Sequence, residues 1–517
     1  MRTRTGRIFP GVRLTFALAA AAALVSPADS QAQSNEQHIN RELEALRTEV
    51  EELRRRDEEN RGLIESLSRR LEELDARTSA AAATTTVAAP TGGSGSEPME
   101  DPDAAPDAAL ADLDTEQPTD GAGQAATSKI WSRSIGNTDL RLIDISMDVM
   151  FAAGGSTVDD DELGLLQGGA HDPDRNGFTL QQAELSFMGA VDPYFTGEAH
   201  IVATANEIEL EEAFGTTTAL PWGLQLEGGF FFTEFGRINP RHPHQWDWLD
   251  QPVVNTRMFG GEGLRSSGVR LSWLMPTSWP SELHLGIQNS GQGEFTRSFL
   301  SNEPVGGRPE FDRGVDGPAD LLYLARWANG WDLSPTTTSV LGLSGLFGPN
   351  SAGEDTRTWV AGLDFLLRWR PTNSFRGWPF VSWQTELMYR AYETEMVTTA
   401  EDPDLNEDLP TETLRDWGLY TQTMWGFRHQ WEAGLRIEYA SGRGDSVDDG
   451  DLVTREIDPD RDDRIRLSPL LVYWPSHFSR LRLQYNYDRA RHLDGDNAHT
   501  VWLGAEIFYG AHPAHSF

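Results

Sequence analysis

The segment Arg480-Leu-Arg-Leu-Gln-Tyr-Asn-Tyr-Asp488 changes between polar and apolar side chains at every residue. Successive side chains of a β-strand point to opposite faces, so this pattern predicts a strand with one polar and one apolar face. The same alternation recurs in Glu282–Gln288, Trp431–Tyr439 and Val501–Tyr509. Such strands fill residues 129–517 and predict an all-β domain there.

The connections between these strands alternate in length. Short turns fall at Asp192–Pro193, Leu220–Pro221, Pro276–Pro280, Gly330–Pro335, Pro371–Trp378, Arg428–Gln430 and Pro475–His477. Most of the others are long and acidic, including Gly154–Gly177, Gly236–Gly263, Gly291–Ala319, Glu393–Thr413 and Ser441–Asp463. Bacterial outer-membrane barrels have short periplasmic turns and longer extracellular loops. We therefore predict an all-β transmembrane barrel of about 16 antiparallel strands.

Aromatic residues support this interpretation. Tryptophans cluster near the short turns, at positions 222, 273, 279, 327, 331, 369, 378, 425, 431 and 474. An aromatic girdle is expected at the membrane interface of such a barrel. The C-terminal Phe517 shares the outward parity of the last strand, as a terminal assembly signal does.

Three segments precede the barrel. Residues 1–32 have arginines, an apolar run and small residues, which is typical of a cleaved signal peptide. Residues 36–77 follow a heptad pattern and predict a periplasmic coiled-coil helix. Residues 78–128 are rich in Ala, Thr, Gly, Pro and acidic residues, and predict a disordered acidic linker. The barrel domain then spans 129–517.

Composition excludes several functions. The net charge of −37 argues against a nucleic-acid partner, and the absence of cysteine excludes disulfides and thiolate chemistry. The chain contains no nucleophile elbow, zinc-protease motif or phosphate-binding glycine loop. We therefore predict no enzyme activity and no cofactor.

Charged residues at inward positions are candidates for the pore lining. Acidic side chains dominate the early strands, whereas arginines dominate the later ones. Charges lining a pore set its ion selectivity, although paired charges could equally stabilise the barrel. The candidates on the wall are Glu198, Glu211, Glu227, Arg270, Arg436, Arg464, Arg466, Arg480 and Arg482.

The third long connection is the most distinctive stretch, Gly236-Arg-Ile-Asn-Pro-Arg-His-Pro-His-Gln-Trp-Asp-Trp-Leu-Asp250. With Glu211–Phe214 and Gly268–Pro276, it resembles the phosphate-selective porin O and P family. The resemblance covers residues 144–290 and weakens until 510–517. It implies a trimeric porin of sixteen strands, with Arg237, Arg241 and Arg257 near a constriction. This chain has a large excess of acidic residues, whereas the phosphate selectivity of that family implies a basic channel. In this respect the sequence differs from the family.

The same connection contains His242, His244, Asp247 and Asp250, which have metal-binding side chains. Pro243 separates the histidines in an extended segment, so loop packing and pore lining are preferred and no metal site is predicted. The segment Asp172–Gly177 starts like a calcium loop, but Ala183 stands where the closing glutamate belongs.

The sequence thus predicts an outer-membrane porin for passive diffusion of small polar or charged solutes, with anions such as phosphate as one candidate class. Its expected partners are outer-membrane lipid and further copies of itself in a homotrimer. Two alternatives are an uptake receptor for a metal or another nutrient, either ligand-gated or energy-coupled, and a structural tether of the outer membrane.

Overall fold

The computed structural model describes residues 132–135, 138–141 and 143–510. The predicted signal peptide (1–32), coiled coil (36–77), acidic linker (78–128) and terminal Phe517 lie outside these residues. Within the described part, no helix is long and apolar enough to cross a membrane.

The described residues contain a closed barrel of sixteen antiparallel strands, as predicted. The barrel strands are β3 (Asp144–Ser156), β4 (Gly177–Asp192), β5 (Phe195–Ala203), β6 (Ile208–Thr217), β7 (Leu224–Phe232), β8 (Arg265–Leu274), β9 (Ser281–Asn289), β10 (Leu321–Ser334), β11 (Thr337–Pro349), β12 (Arg357–Trp369), β13 (Phe380–Thr394), β14 (Glu412–Arg428), β15 (Trp431–Arg443), β18 (Arg464–Ser476), β19 (Ser479–Ala490) and β20 (Asn497–Gly510). Each strand pairs with the next along the barrel, and β20 closes the barrel on β3 with Trp502 opposite Gly154.

The remaining elements are short. Two hairpins stand apart from the barrel sheet: β1 (Ser132–Ile135) with β2 (Thr138–Arg141), and β16 (Ser446–Asp448) with β17 (Asp451–Val453). Two helices lie in connections, α1 (Asp160–Leu166) and α2 (Val253–Phe259).

The barrel wall is apolar outside and polar inside. On β19, Leu481 and Leu483 are exposed, whereas Arg480 and Arg482 are buried. The same arrangement is repeated around the wall, with exposed outward side chains at Leu285, Ile287, Leu343, Leu363, Leu387, Leu435, Ile437, Leu471, Val501 and Leu503. A soluble barrel would bury its apolar face, so this polarity is that of a barrel in lipid.

Tryptophans near the short turns contribute to the outer surface. Exposed ones are Trp222, Trp279, Trp327, Trp331, Trp369 and Trp425. Trp474 differs, because its indole N–H donates to Glu432 Oε1 at 3.0 Å and its ring packs against a buried cluster that includes Trp248.

The largest buried apolar cluster lies between the wall and the connection from β7 to β8. This connection, residues 233–264, is named loop L3. Phe235, Trp246 and Met258 of L3 pack with wall residues that include Val360 and Met388. L3 therefore folds into the barrel and contributes half of the residues of this cluster.

Candidate functional site: the loop inside the barrel

The conformation of L3 follows from its prolines and glycines. Pro243 starts a single helical turn, Pro243–Gln245, and Pro252 precedes α2. Helix α2 ends at Gly260, whose φ of 85° suits glycine and whose N–H donates to Thr256 O at 2.8 Å. The loop is thus a sequence of short, fixed segments.

Glycines on the barrel wall accommodate the apolar side chains of L3. A Cβ placed at Gly418 would lie 2.8 Å from Val254 Cγ2, and one at Gly434 would lie 3.1 Å from the Trp248 ring. The pairs of this kind are Gly362 with Phe235, Gly418 with Val254, Gly434 with Trp248, and Gly504 with Leu249. These glycines belong to β12, β14, β15 and β20, so L3 reaches the wall opposite its own strands.

Asp250 anchors L3 electrostatically. Its carboxylate is fully buried and forms ion pairs with Arg436 and with Arg466, whose Nη1 lies 3.1 Å from Asp250 Oδ2. Burial would raise the pKa of Asp250, but these two guanidinium groups outweigh it and lower the pKa below its usual value. Asn486 also donates to Asp250 Oδ2 at 2.7 Å.

The other inward arginines of the later strands are also paired. Arg480 and Arg482 both contact Glu506, and Arg480 Nη2 donates to His244 O of L3 at 2.7 Å. Arg464 and Arg466 share Asp488. Arg466, Arg480 and Arg482 thus contact L3 directly, whereas Arg464 donates to Leu166 O in the connection between β3 and β4.

The three arginines predicted near a constriction all lie in L3 but differ in environment. Arg257 is buried and paired with Asp462, and its Nη1 donates to Asp462 O at 2.7 Å. Arg237 and Arg241 are half-buried, and neither guanidinium group is paired with a carboxylate among the described residues, although the backbone N–H of Arg237 donates to Glu386 Oε2 at 3.0 Å. Burial and the neighbouring Arg241 lower the pKa of Arg237 to about 10, so Arg237 stays charged at neutral pH.

The acidic candidates on the early strands have partners of their own. Arg270 links Glu227 of β7 to Glu234 of L3, with a 2.9 Å contact to Glu227 Oε2. Glu198 on β5 is partly exposed. Asp247 of L3 is half-buried and accepts a hydrogen bond from Gln422 Nε2 at 3.2 Å.

Histidines and glutamates form a separate buried group, named the His–Glu cluster, which consists of Glu184, His200, Glu211, Glu212, His242 and His244. All six side chains are less than 10% exposed. The two L3 histidines meet wall carboxylates here, while Asp247 and Asp250 make their contacts elsewhere. Burial would lower the pKa of His242, but Glu211 and Glu184 outweigh it and raise the pKa well above its usual value.

A β-bulge creates the acidic half of this cluster. In the pairing of β5 with β6, His200 faces Glu212 and Ile201 faces Leu210, which leaves Glu211 as the extra residue. Bulges re-aim side chains, and here two consecutive glutamates are buried. Strict alternation cannot predict this, so sequence reasoning missed Glu212, and it missed His200 as a neighbour of L3.

The fold and this interior define a transmembrane β-barrel whose lumen holds one long loop. The chain belongs to the same family as an uncharacterized protein of Aquifex aeolicus (strain VF5). The two are 30% identical over 406 residues, which cover 73% of this chain and 80% of the relative. No family model matches the chain.

Several solved structures are similar to this chain. The outer membrane channel DcaP of Acinetobacter baumannii is 10% identical, with a TM-score of 0.46 over 74% of this chain and 99% of that one. OprB of Pseudomonas putida is 10% identical, with a TM-score of 0.44 over 71% and 94% of the two chains. An anion-selective porin from Comamonas acidovorans is 8% identical, with a TM-score of 0.39 over 71% and 98%.

Proposed function

We propose that this protein is an outer-membrane channel through which small polar or charged solutes diffuse passively beside loop L3. The observation that carries the proposal is a sixteen-stranded barrel with an apolar outer wall and an inward-folded loop that bears half-buried charged groups. Barrels of about sixteen strands are wide enough for an aqueous passage. The partner of the outer wall is then outer-membrane lipid.

We extend the proposal to a preference for anions. The arginines of β15, β18 and β19 are neutralised by buried carboxylates, so they add little field to the passage. Arg237 and Arg241 are different, because neither guanidinium group forms a direct ion pair with a carboxylate of the described residues, and Arg237 keeps its charge although Asp364 and Glu386 act on it. Phosphate is one candidate solute for such a pair, because a guanidinium group offers a planar fork to oxyanions.

We further propose that three copies of the chain associate. The wall from β5 to β9 is built of strands of nine or ten residues, whereas β14 has 17. Phe178 and Ile208, at the loop ends of β4 and β6, are 85% and 77% exposed. A neighbouring copy would cover these side chains. The mass of the detergent-solubilised complex tests this proposal, and a monomer mass contradicts it.

The channel is tested by conductance in planar bilayers, with reversal potentials in a salt gradient. The wild type should conduct and prefer anions, and the double variant R237Q/R241Q should shift the reversal potential toward cation preference. A matched control is R175Q, because Arg175 is exposed in the connection between β3 and β4. A wild type that conducts but prefers cations contradicts the anion preference alone. A folded barrel that never conducts contradicts the open channel.

The contacts of L3 favour a second candidate, a gated uptake channel. The loop is held by buried ion pairs at Asp250 and by apolar side chains seated on wall glycines. A passage of this kind would open only when L3 moves. Fixing L3 to the wall covalently would abolish transport in a gated channel and leave it unchanged in a passive one.

A further inference from the structure

The His–Glu cluster joins L3 to the early strands of the barrel. His242 and His244 come from L3, Glu184 comes from β4, and Glu211 comes from the bulge of β6. We propose that these four side chains bind one divalent transition-metal ion of the zinc class, which fastens L3 to the wall. This proposal goes beyond the channel function and does not depend on conduction.

Three distances between the donor atoms are close to those of a tetrahedral site. His242 Nδ1 lies 3.3 Å from Glu184 Oε2 and 2.9 Å from Glu211 Oε2. His244 Nδ1 lies 2.9 Å from the same Glu184 oxygen. Bonds of about 2.0–2.1 Å to a tetrahedral zinc ion place its ligand atoms roughly 3.3 Å apart. These three distances differ from that spacing by at most a few tenths of an ångström, and the donor atoms of Glu184, His242 and His244 all lie within 4.8 Å of one another.

The donor chemistry also suits zinc. Imidazole nitrogens and carboxylate oxygens are zinc ligands, whereas calcium and magnesium prefer oxygen alone. The two Nδ1 atoms converge on one carboxylate oxygen, and two carboxylates converge on the Nδ1 of His242. A single N–H group donates efficiently to only one oxygen, so hydrogen bonds alone satisfy this arrangement poorly. One metal cation, in contrast, can be bound by all four ligand atoms.

Neighbouring side chains hold the ligands in the orientation that a metal requires. Glu212 Oε2 lies 2.7 Å from His242 Nε2, so Glu212 can accept the N–H of this nitrogen and leave Nδ1 for the ion. Carboxylates commonly orient metal-bound histidines in this way. The other oxygen of Glu184 accepts the hydroxyl proton of Ser186 at 2.7 Å and lies 3.2 Å from His200 Nδ1. Glu212 and His200 are thus positioning residues.

Two other groups of metal-binding side chains lie nearby and fit less well. His200, Glu212 and His242 would use the nitrogen of His242 that Glu212 orients in the proposed site. His171, Glu209 and Glu262 form a third group, but both glutamates are paired with Arg265, at 2.9 and 2.7 Å. A guanidinium ion already neutralises that group.

Burial strengthens the case for a bound cation. Glu184, Glu211 and His242 are each 1% exposed. Buried carboxylates are costly unless a counter-charge lies beside them, and a divalent ion neutralises both glutamates. Protonated histidines are the rival source of positive charge, and the experiment distinguishes the two.

The test uses the full, untagged protein, purified in detergent, stripped with a chelator and titrated with Co²⁺ or Zn²⁺ alone. Wild type should bind one Co²⁺ per chain, with the intense visible bands of a tetrahedral site, and Zn²⁺ should displace it. E184Q and H244Q should abolish these bands. E212Q should retain the site and weaken its affinity by about 10–100-fold, as expected for loss of an orienting carboxylate.

The matched control is H284Q, since His284 is a buried wall histidine that contacts Ser272 outside the cluster. This variant should bind Co²⁺ like the wild type. Folding of each variant is checked by its strand circular dichroism. A folded wild type that shows no tetrahedral Co²⁺ bands overturns the proposal, as does equal loss of binding in H284Q. The absence of Co²⁺ bands would be seen in the wild type itself, so the proposal can be rejected even if a variant misfolds.

Discussion

Trp248 of the inward loop lies directly over Gly434 of the barrel wall, where a Cβ would be only 3.1 Å from its indole ring. The glycine leaves room for the ring, and Met424, Leu470 and Val472 surround it. The position of Trp248 in the loop therefore depends on a glycine at this point of the wall.

Filling this space should displace Met424, whose Sδ would lie 2.5 Å from the new Cβ, and with it the Trp248 ring. We expect G434V to lower the free energy of unfolding by about 1–3 kcal/mol, as overpacking does, and to raise single-channel conductance as Trp248 moves. Thermal unfolding and bilayer recordings measure the two effects. G345V is the control, because a Cβ at Gly345 meets nothing within 4 Å. Equal effects in both variants would contradict a specific seat for Trp248.

Removing the charge of Asp250 should release the loop from the later strands. D250N leaves Arg436 and Arg466 without this counter-charge in a buried site, and breaking a buried pair costs about 3–5 kcal/mol. We expect a lower unfolding temperature and noisier current. D174N, at an exposed aspartate beside Arg175, should change neither. An unchanged unfolding temperature in D250N would show that Asp250 does not anchor the loop.

Acid should loosen the contact between helix α2 and the loop before β18. Burial would raise the pKa of Asp462, but His492 and Arg257, together with Arg464, lower it to about 2. A depressed folded-state pKa stabilises the fold fully above the unfolded pKa of about 4, and this contribution is lost as pH falls toward 2. Hydrogen exchange of residues 253–259 should therefore accelerate between pH 4 and 2, after correction for intrinsic rates. In D462N the pH dependence should shrink, and an undiminished dependence would assign it to other groups.

A covalent cross-link should separate a passive channel from a gated one. The chain has no cysteine, so V254C/G418C introduces one defined pair between α2 and β14. A Cβ at Gly418 would lie 3.0 Å from Val254 Cβ and 2.9 Å from Tyr439 O, so α2 and β14 must separate slightly to reach the spacing of about 3.8 Å that disulfides prefer. We expect the oxidised variant to conduct like its reduced form, as a static loop requires. Loss of conductance on oxidation, with recovery on reduction, would favour gating.

Local pattern was enough to predict the barrel. Alternation in segments such as Arg480–Asp488 predicted strands whose inward and outward faces the structure confirms. The alternating connection lengths predicted the sixteen-stranded topology.

The interior contacts could not be predicted in the same way. Asp250 and Arg466 meet across the barrel although they are 216 positions apart, and neither residue alone indicates its partner. Glu212 is buried only because a bulge breaks the alternation at Glu211. The role of Gly434 depends on Trp248, which belongs to a different part of the chain. These contacts depend on pairs of residues that are distant in the chain, so the pattern of a single sequence does not predict them.

Closure of the barrel by β20 on β3 has a consequence for biogenesis. Loop L3 precedes β14, β15, β18 and β19 in the chain, yet its anchoring partners lie on these strands. Until the last strand arrives, the loop has only part of its docking surface, and its tryptophans remain exposed to chaperones or to lipid. We therefore expect docking of the loop to be complete only when these strands have paired, and contacts so distant in sequence form slowly. Variants that weaken the loop should accumulate as unsealed assembly intermediates before any loss of transport is measured.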